Sequence, residues 1–386
     1  MTQPQWNWRE QREKPAFLAL EDGTILRGWS FGAPIDKVGE VVFNTGMTGY
    51  QEVLSDPSYC GQIVTMTYTE IGNTGINKAD AESRQTFLNG FIIHDVNVPS
   101  NWRNEISLSD YLKQEGIPGL AGLDTRFLTS KLRDLGTQKG YLSVSGKVSE
   151  DEALKLCREW PGLDNQDYAS QVSVDETFHW DPSGDLTASW GIAETLPPEE
   201  IKLVAYDYGI KWNILRGLRR IGFGIDVVPA KTPADEVLKM KPDAIFYSNG
   251  PADPSAVMYA IENARQFIGK VPVMGICLGH QLLSLASGAS TYRLKFGHHG
   301  CNHPVIDLDT QAVEITTQNH NFAVDPDSVK AAGLEITHIN LNDNTVEGIR
   351  HKTEPMFAVQ HHPEAGPGPH DSSYLFDRFK DMIVKA

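Results

Sequence analysis

A short apolar run that turns through a G-x-C-x-G motif into a helix leaves a chain few ways to fold, and Val271 to Leu283, VPVMGICLGHQLL, is such a run. Val271 to Ile276 predicts a buried strand, Gly275 and Gly279 bracket Cys277, and the residues from His280 to Ala286 take up helical spacing. A cysteine between glycines at such a turn is the sulfur counterpart of the G-x-S-x-G elbow, in which small neighbours let the backbone bend sharply and push the nucleophile into a pocket. The turn opens a helix, so unpaired N–H groups and the positive end of the dipole lie near the sulfur; they favour the thiolate and offer donors to an oxyanion. Taken alone, the motif also fits a buried structural cysteine.

The surrounding pattern places this turn in a sheet. After Pro198 strands alternate with helices: IKLVAYDYG, then KWNILRGLRRIG with Trp212, Leu215, Leu218 and Ile221 on one face, IDVVPA, ADEVLKM, DAIFYSNGP, AVMYAIENARQFIG and VPVMGIC. That alternation predicts a doubly wound, mostly parallel sheet over residues 199–386, with SNGP and GICLG at the carboxyl ends of strands, where such sheets carry their sites. Beyond Arg293 the pattern returns to β, and a helix with Leu375, Phe376, Phe379, Met382 and Ile383 on one face closes the chain. Residues 1–150 predict a smaller α+β domain, beginning with a hairpin around Asp22 and Gly23. Residues 151–198, rich in proline and polar residues, predict a connecting segment over the surface.

A second feature completes a chemical set. In VQHHPE, Pro363 holds His362 extended, and residues two apart on an extended segment share a side, so Glu364 joins His362 while His361 points away. A thiol nucleophile needs a base to take its proton and a carboxylate to orient that base. Cys277, His362 and Glu364 supply those roles.

Acidic residues exceed basic ones to give a formal net charge of −16 over 386 residues, which argues against a nucleic-acid backbone as main partner. Cys60, Cys157, Cys277 and Cys301 lack the spacing of a disulfide framework or zinc knuckle, and no apolar run has the length of a membrane span. A cytoplasmic location is expected. His298, His299 and His303 suggest a metal, but neighbours on an extended segment face opposite ways and no cysteine pair completes a zinc set, so no metal is expected.

YDYG, SNGPADP, GICLGHQLL, FGHHG, QNHNFAV and QHHPEAGPGPHD resemble the class I, triad-type glutamine amidotransferase domain. GEVVFNTGMTGYQEVLSDPSY, IGNTGIN, PSNWR and LDTR in the amino-terminal half are similar to the small subunit of carbamoyl-phosphate synthetase. The resemblance implies hydrolysis of glutamine through a glutamyl-thioester, with ammonia passed to a large subunit that uses ATP and bicarbonate. It implies Cys277 as nucleophile, His362 as base and Glu364 as its orienter, with backbone amides of Gly250 and Leu278 as oxyanion hole. It also implies glutamine contacts at Ser58, Gly250, Ala252, Leu278, Gln281, Asn319, Asn321 and Phe322, in a pocket between the domains. No phosphate-binding glycine motif occurs, so no cofactor is expected in this chain and ATP belongs to the partner. A weakly catalytic regulatory subunit and a stand-alone γ-glutamyl cysteine hydrolase are the alternatives. At Ala252 and Asn321 such domains usually show glycine, so both side chains are expected to crowd the substrate and weaken glutamine use.

Overall fold

The computed structural model describes residues 12–188, 195–251, 253–366 and 368–385, and Ala252 lies outside the described residues. The chain forms two units, Met1–Leu163 and Asp164–Ala386, so the boundary falls inside the stretch read as a connecting segment.

In the first unit, β1 (Pro15–Leu20) and β2 (Ile25–Ser30) form the expected hairpin, with Ala19 opposite Ile25 and the Asp22 carboxylate accepting from the Thr24 amide at 2.9 Å. They continue into β3 (Lys37–Asn44), β4 (Gln62–Met66), β6 (Gly90–Ile93), β8 (Gly119–Ala121) and β9 (Gln138–Ser143), while β5 (Glu70–Ile71) and β7 (Asp95–Val96) pair separately. The larger set closes into a barrel in the order β1-β2-β8-β6-β4-β3-β9. β3, β4, β6 and β8 run parallel, which requires crossover connections, and the helices Tyr50–Ser55 and Leu108–Gln114 lie in them. Val42, Leu54, Val64, Phe91, Ile93 and Leu112 fill one core. The helix Glu150–Glu159 also belongs here: Ser149 caps its first turn, and Ala153 and Cys157 are buried on the side facing β1 and β9.

The second unit holds a ten-stranded sheet in the order β10-β12-β11-β13-β14-β19-β18-β17-β15-β16. These are β10 (Phe178–His179), β11 (Ile201–Asp207), β12 (Phe223–Pro229), β13 (Ala244–Tyr247), β14 (Val273–Ile276), β15 (Thr291–Asp307), β16 (Val313–Val324), β17 (Leu334–Asn340), β18 (Val346–His351) and β19 (Met356–Val359). From β12 to β19 the strands are parallel, and the remainder pair antiparallel. Helices cover both faces of the parallel half, so its strands read as unbroken apolar runs. In β11, Leu203 and Ala205 enter one layer with Met274, Leu218 and Phe379, whereas Val204 and Tyr206 enter the other with Ile245, Val273 and Leu282. The carboxyl-terminal helix Tyr374–Lys385 seals the first of these layers, its Phe379 ring stacked 5.6 Å from Phe223.

The stretch 164–188 is more than a surface connection. Trp180 is 2% exposed and sits in that same layer, 5.8 Å from the ring of Trp212, and β10 adds an edge strand to β12. A polar, proline-broken stretch hid this tryptophan because burial here comes from filling a gap beside an edge, without periodicity. No helix among the described residues is long and apolar enough to cross a membrane.

Candidate active site

Cys277 follows β14 directly and caps the helix Leu278–Ser287 with φ 55° and ψ −104°, a strained positive-φ conformation that costs a non-glycine residue about 1–3 kcal/mol. Close packing maintains it. A methyl group on Gly279 would overlap the Tyr247 carbonyl, and one on Gly275 would lie 2.7 Å from the Gly279 backbone, so both glycines are needed for helix and strands to approach. The Cys277 amide donates to Val359 O at 2.9 Å and the Gly279 amide to Ser248 O at 3.0 Å, binding the elbow to β19 and to the segment after β13. Gly279→Ala is therefore expected to lower stability by roughly 1–3 kcal/mol, read from denaturant unfolding, and to lower turnover with it.

β14 and β19 are neighbours with Ile276 paired to Val359, so Cys277 and His362 leave the same carboxyl edge of the sheet. The His362 amide donates to Thr317 O at 3.0 Å, and its Nδ1–H donates to Glu364 Oε1 at 2.6 Å. Among the described residues, His362 Nε2 is buried and has no hydrogen-bond partner, which leaves that nitrogen open as a proton acceptor.

Lys211, which the sequence reading did not single out, joins this group in the structure. Its Nζ lies 2.6 Å from the same Glu364 Oε1, with both side chains nearly sealed from solvent. Burial pushes the Glu364 carboxyl up, but the Lys211 charge and the hydrogen bonds from Lys211 and His362 prevail and bring it to about 2. Glu364 is thus ionised throughout the neutral range. The one available signal was position: Lys211 stands between β11 and the helix Trp212–Arg220, at the edge of the sheet where sites form.

Gly250 packs against the Tyr208 carbonyl, and a Cβ there would be 3.1 Å from Leu278 Cδ2, so its backbone adjoins the first turn of the helix that Cys277 caps. The Leu278 amide lies in that turn, where intrahelical acceptors are lacking. Asn319 O accepts from Cys277 Sγ at 3.5 Å, and Phe322 O accepts from Gln281 Nε2 at 2.8 Å. Gln281 Nε2 also donates to Gln360 Oε1 at 2.9 Å, so both its N–H groups hold protein. Ser58 belongs to the other unit, buried in the turn Pro57–Tyr59 with its amide on Asp56 Oδ1 at 2.9 Å.

The alternation of β15 separates His298 from His299, yet a neighbouring strand meets each. His298, His320 and Glu347 bring buried donor atoms within 4.8 Å of one another. Those donors are largely committed: Glu347 accepts from Asn340 Nδ2 at 3.0 Å and from Gln318 Nε2 at 2.9 Å, and His320 Nδ1–H donates to Phe322 O at 2.7 Å. The cluster serves as a hydrogen-bonded core for β16. Burial lowers the His298 pKa, but the carboxylates of Asp343, 2.8 Å away, and Glu347 raise it to about 9. Folded His298 therefore binds its proton more tightly than the unfolded residue, whose ordinary value is 6.5. Its stabilisation is fully present below pH 6.5 and is lost as pH rises through about 9. Denaturant midpoints are expected to fall across that window, and Asp343→Asn should flatten the fall.

Residues 204–382 match the profile described as "Glutamine amidotransferase class-I", and residues 18–142 match "Carbamoyl-phosphate synthase small chain, CPSase domain". Among similar proteins, the carbamoyl phosphate synthase small chain of Syntrophotalea carbinolica is 52% identical, covering 96% of this chain and 98% of the relative. The small chain of Pseudomonas aeruginosa is 51% identical over 96% of this chain and 99% of its own, and that of Aquifex aeolicus 50% identical over the same shares.

Proposed function

The chain belongs to the carbamoyl phosphate synthase small chains, the glutamine-hydrolysing subunits with a class-I amidotransferase domain, and from that premise we propose that Cys277, His362 and Glu364 carry the hydrolysis. The observation that carries the assignment is the open Nε2 of His362, whose other nitrogen is fixed by an ionised Glu364, beside the strand that leads into Cys277.

His362 Nε2 takes the thiol proton as Sγ attacks the side-chain amide carbon of glutamine. The oxyanion that forms lies against the amides of Gly250 and Leu278. His362 returns the proton to the amide nitrogen, the C–N bond breaks, and ammonia leaves a glutamyl-thioester on Cys277. Water, giving a proton to His362, then attacks the thioester carbon; the C–S bond breaks, glutamate leaves and the thiol regains its proton. Glu364 keeps the tautomer that presents Nε2 as acceptor, and Lys211 keeps Glu364 charged. Gly250, Leu278, Gln281, Asn319 and Phe322 supply the glutamine contacts in this reading, joined by Ser58, Ala252 and Asn321.

The ammonia passes to a large subunit that holds ATP and bicarbonate, and this chain needs no cofactor of its own; the lack of a phosphate-binding glycine motif supports that division. Four free thiols suit a reducing cytoplasm. Glutamine turnover by the isolated chain and by its mixture with a large subunit tests the whole reading. Turnover that rises when the large subunit is added supports it. No turnover in either state favours a structural subunit, and full turnover indifferent to the partner favours a stand-alone hydrolase.

A further inference from the structure

The segment Asn319 to Phe322 lies against Cys277 and the helix it caps, and side-chain hydrogen bonds beyond the strand pairing fix it. Cys277 reaches Asn319 O and Gln281 reaches Phe322 O, so the nucleophile helix grips both ends. The middle is held from the far side by a histidine that the mechanism does not use. His299 pairs directly with Asn319 across β15 and β16, and its Nδ1 lies 3.0 Å from the Asn319 carboxamide. Its Nε2 lies 3.0 Å from the carboxamide of Asn321, which is two residues further along and so on the same face of β16.

The local backbone is shaped for this bridge. β15 is irregular between Arg293 and His298, and Gly297 in that irregularity has φ +70°; a methyl group there would collide with Asn321 Oδ1 and lie 2.5 Å from His299 Nε2. Both carboxamides present Oδ1 to the ring, one at each nitrogen. Burial brings the His299 pKa down to about 4, so the ring is neutral and donates through one nitrogen. Contact at both nitrogens fixes the orientation of the ring.

We propose that His299 is a positioning residue for glutamine hydrolysis, clamping Asn319 and Asn321 so that the Asn319 carbonyl stands at the Cys277 thiol and the pocket wall is set before substrate binds. The inference rests on Cys277 being the nucleophile. It also changes the meaning of Asn321: the side chain expected to crowd the substrate is one jaw of the clamp, and its removal loosens the wall. Acceptance of the S–H by Asn319 O favours the protonated thiol, so a loosened wall lets Cys277 ionise more readily.

The test uses the full chain with its large subunit and reads two quantities, glutamine hydrolysis and the pH profile of iodoacetamide alkylation at Cys277, the latter resolved from the other cysteines by peptide mass spectrometry. His299→Phe keeps an aromatic ring without either hydrogen bond. It is expected to lower kcat/KM for glutamine about tenfold or more and to move the alkylation profile to lower pH, with ammonia-dependent synthesis retained. Asn321→Leu, at a half-exposed position, removes one jaw without disturbing the buried ring and is expected to move both quantities in the same direction. In the double variant the losses should not add, because either substitution opens the clamp. Unchanged kcat/KM and an unchanged alkylation profile in folded Asn321→Leu, or additive losses in the double variant, would overturn the proposal. Failure of the catalytic assignment itself shows elsewhere, as glutaminase activity surviving Cys277→Ser.

Discussion

Cys277→Ser is expected to lower glutamine-dependent carbamoyl phosphate synthesis by roughly 10⁴-fold or more, the scale on which loss of a covalent nucleophile acts. Ammonia-dependent synthesis by the same complex should persist, because the thiol acts only in releasing ammonia. The elbow tolerates the change: the serine hydroxyl is smaller than the thiol, and the backbone at φ 55° is imposed by Gly275 and Gly279 packing, not by the side chain. Melting temperature and assembly with the large subunit should therefore stay close to those of the parent. Parallel assays with glutamine and with ammonium as nitrogen donor check both halves. Retained glutamine-dependent synthesis would remove Cys277 from the mechanism.

His362→Asn is expected to cost about 10²–10⁴-fold in glutamine hydrolysis, the range for a positioned general base, while His361→Phe should keep kcat near that of the parent. The two adjacent imidazoles differ in surroundings. His362 is held by Glu364 at 2.6 Å and offers Nε2 at the carboxyl edge of the sheet. His361 is fully buried on the other side, its ring 5.6 Å from that of His338, its Nδ1 3.8 Å from Glu347, and neither nitrogen hydrogen-bonded among the described residues. Phenylalanine preserves the packing at 361 where asparagine would leave a cavity, so it separates chemistry from folding. The opposite ranking, with His361→Phe inactive and His362→Asn active, would reverse the assignment of the base. Lys211→Met adds a graded case: it strips Glu364 of its buried cation, and breaking such a pair costs about 3–5 kcal/mol in stability. Its kcat should fall less than that of His362→Asn, because His362 still holds the carboxylate.

The sequence by itself determined the elements that local chemistry can specify. Unbroken apolar runs such as LVAY and IFY mark strands covered on both faces, the G-x-C-x-G turn marks the elbow, and Pro363 with two-residue spacing marks which histidine joins Glu364. Each of these depends on residues within a few positions of one another, so periodicity and steric rules reach them. What depends on distant segments meeting was decided only in the tertiary structure. Seven strands of the first unit close into a barrel through pairings such as β1 with β9, more than a hundred residues apart, which no local pattern encodes. Trp180 is core only because β12 supplies an edge to cover. Lys211 reads as an ordinary helix-start lysine until β11 and the segment after β19 bring it to Glu364. Asn321 reads as an intrusion into the pocket until the irregularity in β15 carries His299 to its side chain. In each of these cases burial and charge pairing act through space between segments separated in sequence, and the packing of the folded chain alone sets which groups share that space.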